Sequence, residues 1–368
     1  MILVGKLRGA VRRIDAADQA RRYDAKQNRE ARAARAAIEA QHPEARPDAA
    51  TLRRVEQYAG DVLGSTRFAP WLETYTAWRR EFREGWIPDN YFGRVVLSAL
   101  PGPGLRREFG TAKTLARRVL GGTDLLPDRA SQVNGAWLDR DGQPIGEAEA
   151  VAAIFAEGDL AVVKFDGSSR GDDVMKVRRD GFQPAELARR GNFVAQSWIE
   201  QHPFFDQFTS ESVATIRITT GKHEGRPAGF RAAYLRLGLA GNDVVVASRS
   251  LRVPILDAEG TLGAVAARRD WTSCTAHPDS GARFDGQRIP LFREAVEAVR
   301  DVHDRIPHVA HVGWDCAIDR EGRIRLMEWN MNHADIKFTE AATGPHFKDL
   351  NWERFAPGVA GVGAKAGR

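Results

Sequence analysis

The stretch HVGWDCAIDREGRIRLMEWNMN, His311 to Asn332, constrains the fold of this chain more than any other. It reads as two short strands, roughly Val312–Ile318 and Arg323–Glu328, around turn chemistry at Asp319–Gly322, where Gly322 is free to take a positive φ. Ile324, Leu326 and Glu328 alternate, so the period-two reading sets a carboxylate on an otherwise apolar face. Such a carboxylate is costly unless it is paired or binds a cation. Asp315, Glu328 and Asn330 are hard oxygen donors of the kind that holds Mg²⁺ together with a substrate phosphate. The structural alternative is that Asp315 caps a turn and Glu328 pairs with an arginine. Register matters to both, because a one-residue slip turns Asp315 away from Glu328.

The chain of 368 residues can bury one large core or about two to three lobes. Cys274 and Cys316 are its two cysteines, too few for a disulfide framework or a four-thiolate zinc site. No apolar run approaches the ~20 residues of a membrane span, and MILVGKLRGAV is too quickly interrupted by charge to be a secretory signal. These features favour a cytoplasmic enzyme. Residues 1–54 hold 13 Lys/Arg against 7 Asp/Glu, so the net charge of +5 belongs to the N-terminal arm. The body is close to neutral and lacks a basic patch interleaved with aromatics, which argues against a nucleic-acid partner. The arm reads as a solvated helical face, or as a weak contact to an anionic membrane surface or a protein.

Residues 10–45 are rich in Ala, Arg, Glu and Gln and predict a helix with little to bury. Helices follow at about Ala49–Leu63 and Pro70–Phe82, the second with a packed stripe of Trp71, Tyr75 and Trp78. Phe109–Leu120 reads as a helix bearing Lys113. In DLAVVKFDGSSRGDDVMKV a strand, Leu160–Val163, delivers Lys164. The loop Gly167, Ser168, Ser169, Arg170, Gly171 follows, then a strand, Val174–Val177, with Lys176. A Gly/Ser loop between antiparallel strands lets backbone N–H groups approach phosphate oxygens, with lysine as the point charge. Phe193–Glu200 reads as a strand whose Gln196, with the backbone of Trp198 and Ile199, suits a purine edge, or as an ordinary central strand. Ser212–Thr220 and Ala232–Leu239 are strands carrying Arg217 and Arg236. An arginine within an apolar strand needs a planar anionic partner, whether a structural carboxylate, a phosphate or a substrate carboxylate. Leu291–Asp304 has the spacing of a helix packed on a sheet, and no GxSxG or HExxH nucleophile or metal signal is present.

A helix lysine, a strand lysine with a Gly/Ser loop, a Q-x-W-I strand, strand arginines and a terminal D…E-x-N hairpin stand in one order. The chain resembles an ATP-grasp enzyme, and more narrowly the sugar-transfer-associated ATP-grasp family. EGWIPDNYF, VVKFDGSSRG, ATIRITT, HPDSGARFDGQRIP and GWDCAID…RLMEWN carry the similarity over roughly residues 84–350. It implies an α+β fold, with two lobes of antiparallel sheet gripping ATP. The expected organisation is a helical region at 1–104, a smaller lobe at 105–195, a larger lobe with the metal site at 196–357, and a disordered tail at 358–368.

By the same resemblance, Lys113 and Lys164 contact phosphates, and Gly167, Ser168, Ser169 and Gly171 form a phosphate lid with Lys176 near it. Gln196, Trp198 and Ile199 hold adenine, with Glu200 or His202 near the ribose. Asp315, Glu328 and Asn330 ligate Mg²⁺, and Arg217 and Arg236 steady the transferred phosphoryl group. Trp329, between Glu328 and Asn330, departs from the small residue common there. The implied reaction joins a small-molecule carboxylate to an amine through an acyl phosphate, with release of ADP. Two alternatives stay open: an ATP-grasp phosphotransferase acting on a hydroxyl, and a non-catalytic nucleotide-binding scaffold docked through its basic arm.

Overall fold

The structure is a computed structural model that describes residues 2–100, 108–167, 174–223, 225–241 and 250–356, with the backbone alone for 2–17. Ser168, Ser169, Arg170, Gly171 and the tail from Gly358 lie outside the described residues. The chain divides into two compact units. One draws on the chain up to Leu100, on Asp270–Ser273 and on the residues from Asp335 onward; the other on Pro101–Arg269 and Cys274–Ala334.

The first unit is helical. Helix α1 (Ile2–Gln41) buries Ala31, Ala34 and Ile38 against α3 (Ala69–Arg79). Small side chains along that seam let the two backbones approach, so that the Thr74 hydroxyl reaches the Ala31 carbonyl at 2.9 Å and the Trp71 indole donates to Gln27 at 3.0 Å. The sequence predicts a helix with little to bury. The alanine seam instead gives it a close partner, because small residues trade side-chain area for proximity. Between them, α2 (Ala49–Asp61) starts on Asp48, whose carboxylate caps the Thr51 N–H at 2.7 Å. The stripe of Trp71 and Tyr75 is fully buried, as its spacing predicts, and Trp271, held at a φ of 72°, packs its ring on Trp71 and Trp78.

The second unit contains two antiparallel sheets. Five strands, β1 (Asp128–Val133), β2 (Ala136–Asp139), β3 (Leu160–Phe165), β4 (Val174–Arg178) and β5 (Phe193–Ser197), form one in the order β2-β1-β5-β3-β4. Its apolar face packs Ala161, Val163, Phe165, Phe193 and Ala195 against the helix Glu147–Ile154. The second sheet has the order β10-β9-β8-β7-β6-β11-β12. Its strands are β6 (Thr215–Gly221), β7 (Gly229–Gly238), β8 (Ser250–Pro254), β9 (Ala266–Ala267), β10 (Ser273–Cys274), β11 (His311–Ile318) and β12 (Ile324–Asn330). The helix Phe292–Asp304 turns Phe292, Ala295, Val299 and Val302 onto one face of that sheet, among Ile216, Ile218, Leu235, Trp314, Cys316 and Leu326. His303 is enclosed there between Thr220 and the Val309 carbonyl, and burial lowers its pKa to about 4. Its role is structural. No helix among the described residues is long and apolar enough to cross a membrane.

In the helical unit, Glu340 is fully buried and accepts the backbone N–H groups of Ile87 and His346, both at 2.8 Å. Burial raises its pKa from 4.5 to about 8, against the lowering effect of those two hydrogen bonds. The unfolded chain therefore releases this proton first as pH rises. The contribution is fully present below about pH 4.5 and is lost as pH climbs through 8. Urea denaturation of wild type and Glu340→Gln from pH 5 to 9 should show a downward slope in wild type that flattens in the variant; equal slopes would contradict the assignment.

Candidate active site

Each sheet carries an apolar face and a polar one, and the alternation of residues along the strands decides which side chains share the polar face. In the seven-stranded sheet, Trp314, Cys316 and Ile318 point into the core, so Gly313, Asp315 and Ala317 lie on the other side. The register pairs Asp315 with Glu328 and with Arg217, and Gly313 with Asn330. Cys316 then faces Leu326, which leaves Met327 as one extra residue on β12. This bulge reverses the expected alternation: Leu326 is buried in the core, whereas Glu328 lies on the opposite face beside Asp315. Glu328 is therefore not a carboxylate on an apolar face. Trp329 points into the core, stacked on Trp314 with ring centroids 6.4 Å apart, and so stays clear of the donor face between its two neighbours.

Arg217 and Asp315 form a buried bidentate pair, with Nε to Oδ1 at 2.6 Å and Nη2 to Oδ2 at 2.9 Å. Both side chains are under a tenth exposed. Burial pushes the Asp315 carboxyl up, but Arg217 and Arg236 outweigh it and hold the group below its usual range. The Arg217 guanidinium also donates to the Ala334 carbonyl at 3.1 Å. A Cβ built on Gly313 would stand 3.1 Å from Nη1 of Arg217 and 3.2 Å from the Ala334 backbone, so glycine there makes room for the pair. Asn330 donates its Nδ2 to Asp315 Oδ2 at 3.3 Å, which leaves its amide oxygen for another partner. On the next strand Arg236 is buried, donates to the Tyr234 hydroxyl at 2.8 Å and lies over its ring.

In the five-stranded sheet, Val162 faces both Gln196 and Lys176, so these two share the polar face with Lys164. Lys164 donates to the Met327 carbonyl at 2.7 Å, a carbonyl that the bulge releases from regular pairing. Burial lowers the pKa of Lys164 to about 8, with Glu328 opposing the shift. Lys113 begins a short 3-10 turn, Lys113–Leu115, rather than sitting inside the long helix the sequence predicts, and its Nζ meets Glu328 Oε1 at 2.7 Å. Thr114, next to it, donates N–H and hydroxyl to Asp166 at 2.9 and 2.7 Å, while the N–H of Gly167 reaches the Thr111 carbonyl at 2.9 Å. The end of β3 is thus tied to the turn that presents Lys113.

Gln196 is buried, but its amide N–H donates to Asp128 at 2.6 Å. The strand ends at Ser197, one turn short of the predicted Glu200. Trp198 stacks its ring under the Lys176 ammonium, 4.4 Å from the centroid. Glu200 is exposed and pairs with Arg320 at 3.2 Å, and His202 caps the Phe204 N–H at 3.1 Å. The structure therefore brings together Lys113, Lys164, Arg217, Arg236, Asp315, Glu328 and Asn330, and spends Glu200 and His202 on local contacts. Sequence reasoning missed Arg252, buried opposite Arg236 and bonded to the Arg268 carbonyl at 2.7 Å. The alternation Leu251, Arg252, Val253 was the available signal. It also missed Asp166, Thr114 and the Met327 carbonyl, which no local pattern marks.

Asp315, Glu328 and the Asn330 amide form an all-oxygen donor set on one face, which fits a hard divalent cation. Glu328 keeps a third of its side chain exposed and is more accessible than Asp315.

Two antiparallel sheets whose polar faces present lysines on one side, and carboxylates with arginines on the other, are the arrangement that the resemblance to an ATP-grasp fold leads one to expect. Residues 182–351 match the family described as sugar-transfer associated ATP-grasp. The chain resembles this family over that stretch, which is less than half its length. No curated relative matches the chain. Among solved structures it is similar to a biotin carboxylase–ATP-analogue complex from Campylobacter jejuni, at 10% identity and TM-score 0.44, covering 74% of this chain and 53% of that one. An L-amino acid ligase from Bacillus licheniformis follows at 13% identity and TM-score 0.39, over 73% of this chain and 53% of that one. The N5-carboxyaminoimidazole synthetase from Staphylococcus aureus complexed with ADP is similar at 12% identity and TM-score 0.38, covering 60% of this chain and 44% of that one. The chain thus spans less than two thirds of the length of each.

Removing one partner of a buried ion pair costs about 3–5 kcal/mol, because the remaining charge is stranded. Arg217→Ala should lose stability on that scale in urea denaturation, with Asp315 left inside the sheet. A loss below about 1 kcal/mol, the range of an exposed pair, would contradict this account.

Proposed function

We propose that the protein is an ATP- and Mg²⁺-dependent ligase that joins a carboxylate to an amine. The observation that carries this reading is the convergence of Lys113 and Lys164 with Asp315, Glu328 and Asn330 on facing polar surfaces. Phosphoryl transfer asks for positioning and charge neutralisation rather than a protein nucleophile, and these groups are of that kind.

In this reading Lys113 and Lys164 hold phosphate oxygens as point charges, and the backbone at Trp198 and Ile199 borders the base. Asp315, Glu328 and Asn330 hold Mg²⁺, which when bound neutralises charge on the phosphates. With the cation held there, Glu328 would no longer be needed by Lys113, whose ammonium would serve the phosphates. Arg236 and Arg217 face the transferred group. A substrate carboxylate oxygen attacks the γ-phosphorus, the bond to the β-phosphate oxygen breaks, and ADP leaves. The amine nitrogen then attacks the acyl carbon, phosphate departs with the former carboxylate oxygen, and the ammonium gives up a proton. The two free cysteines suit a reducing, cytoplasmic setting. The basic arm would add a weak contact to an anionic surface.

Melting with ADP or a non-hydrolysable ATP analogue, with and without Mg²⁺, tests the nucleotide site. Ligand at about 100 times its Kd adds about 2.7 kcal/mol, enough for a visible rise in Tm. The rise should depend on Mg²⁺ and vanish in Lys164→Ala. No rise with any purine nucleotide would overturn the reading, and a product mass showing a phosphorylated hydroxyl would replace amide formation by phosphotransfer.

A further inference from the structure

A cavity of about 410 Å³ opens in the second unit beside the edge of β12, bordered by the loop Asp124–Pro127 and by the starts of β1 and β12. Four guanidinium groups line it, those of Arg129, Arg140, Arg323 and Arg325. Each is paired with a protein carboxylate, Arg129 with Glu157, Arg140 with Asp124, and Arg323 and Arg325 with Asp319, and a guanidinium has more donors than one such partner uses. A bulge contributes here as well: Arg129 is the extra residue between Asp128 and Ala130, which lets two neighbouring side chains face one cavity.

The carboxylates on the wall are already engaged. Asp124 takes Arg140 at 2.7 Å and Arg117 at 3.3 Å, Asp128 takes Gln196, and Glu157 takes Arg129. Each arginine, by contrast, keeps N–H groups in reserve. Arg325 donates through Nε to Asp319 at 2.8 Å, and Arg323 donates through Nε to the same oxygen at 2.7 Å and through Nη2 to Glu321 at 2.8 Å, which leaves the Nη1 of each without a partner among the described residues. The Arg140 Nε is buried and likewise unpartnered among them. Donors thus outnumber the acceptors available to them around one open cavity.

We infer that this cavity is a binding site for a small polyanion bearing phosphate or carboxylate groups, held by Arg129, Arg140, Arg323 and Arg325. Its lining includes none of Lys113, Lys164, Arg217, Arg236, Asp315, Glu328 or Asn330. A carboxylate bound there is therefore not the one activated by the γ-phosphate, and its ligand is an effector; this role rests on the ligase reading, whereas the binding does not. Asp128 connects the two places, since its carboxylate lines the cavity and holds the Gln196 amide.

Pyrophosphate and citrate, titrated calorimetrically at constant ionic strength, serve as probes for the phosphate and carboxylate versions. Wild type, Arg140→Gln, Arg140→Lys and Lys164→Ala are compared, and a Tm without ligand certifies each fold. Losing a charge-assisted, forked donor should weaken binding of at least one probe by about tenfold in Arg140→Gln and part of that in Arg140→Lys, with Lys164→Ala unaffected. Absence of binding to wild type, or equal binding to wild type and Arg140→Gln, overturns the site. Binding lost in Lys164→Ala but kept in Arg140→Gln overturns it too, by placing the anion among the nucleotide lysines. A parallel ADP titration tells failure of this site from failure of the ligase reading, because ADP should bind Arg140→Gln and not Lys164→Ala.

Discussion

The bidentate pair of Arg217 and Asp315 holds two opposite charges inside the seven-stranded sheet, where neither survives alone. Their attraction does not by itself make the sheet stable, since desolvating both groups offsets much of the gain. It does fix geometry. A slip of β6 against β11 by one residue would turn the Arg217 guanidinium to the apolar side, among Ile216, Trp314 and Cys316, and leave the Asp315 carboxylate without it. Gly313 gives the guanidinium its space, Asn330 steadies the second carboxylate oxygen, and Arg236 adds positive potential from the next strand. The pair therefore sets the register from which Glu328 and Asn330 take their places.

The facing lysines are positioned by backbone. Lys164 leans on a carbonyl of β12, and Lys113 is presented by a turn that Asp166 holds through Thr114. Each sheet is ordinary on its apolar side, with branched and aromatic side chains under a helix. The unusual charge density lies on the two polar sides, and it is balanced within the protein by cross-pairing of lysines and arginines with carboxylates and carbonyls.

Much of this was legible because strands write their faces into every second residue. Arg217 between Ile216 and Ile218, Arg236 between Leu235 and Leu237, and Lys164 after Val163 all stand where alternation puts them. The hairpin was likewise readable from its turn, whereas the Asp315–Glu328 pairing depended on a register that the sequence left open. What escaped depends on partners distant in the chain. Nothing in Leu326-Met327-Glu328 announces a bulge, because the extra residue is defined by what β11 offers opposite. The hydrogen bond to Gln196 comes from Asp128, on another strand, and turns an amide expected at a purine edge into half of a buried pair. The alanines of α1 looked featureless as sequence, and their use emerges only when α3 supplies the Thr74 hydroxyl. Glu340 gives the same lesson, since its two donors come from Ile87 and His346.

The extra residue at Met327 shifts attention from which side chain stands there to whether a residue stands there at all. Its contribution to the site is a main-chain oxygen, which every amino acid owns. Residue identity at this position is therefore weakly specified, while chain length around it is tightly specified. Shortening β12 by one residue before Glu328 would remove the bulge and with it the Met327 oxygen under Lys164, while alternation would still set the carboxylate opposite Asp315. A trace of this part of the site across homologous chains would accordingly lie in where gaps are tolerated, and much less in which letters recur.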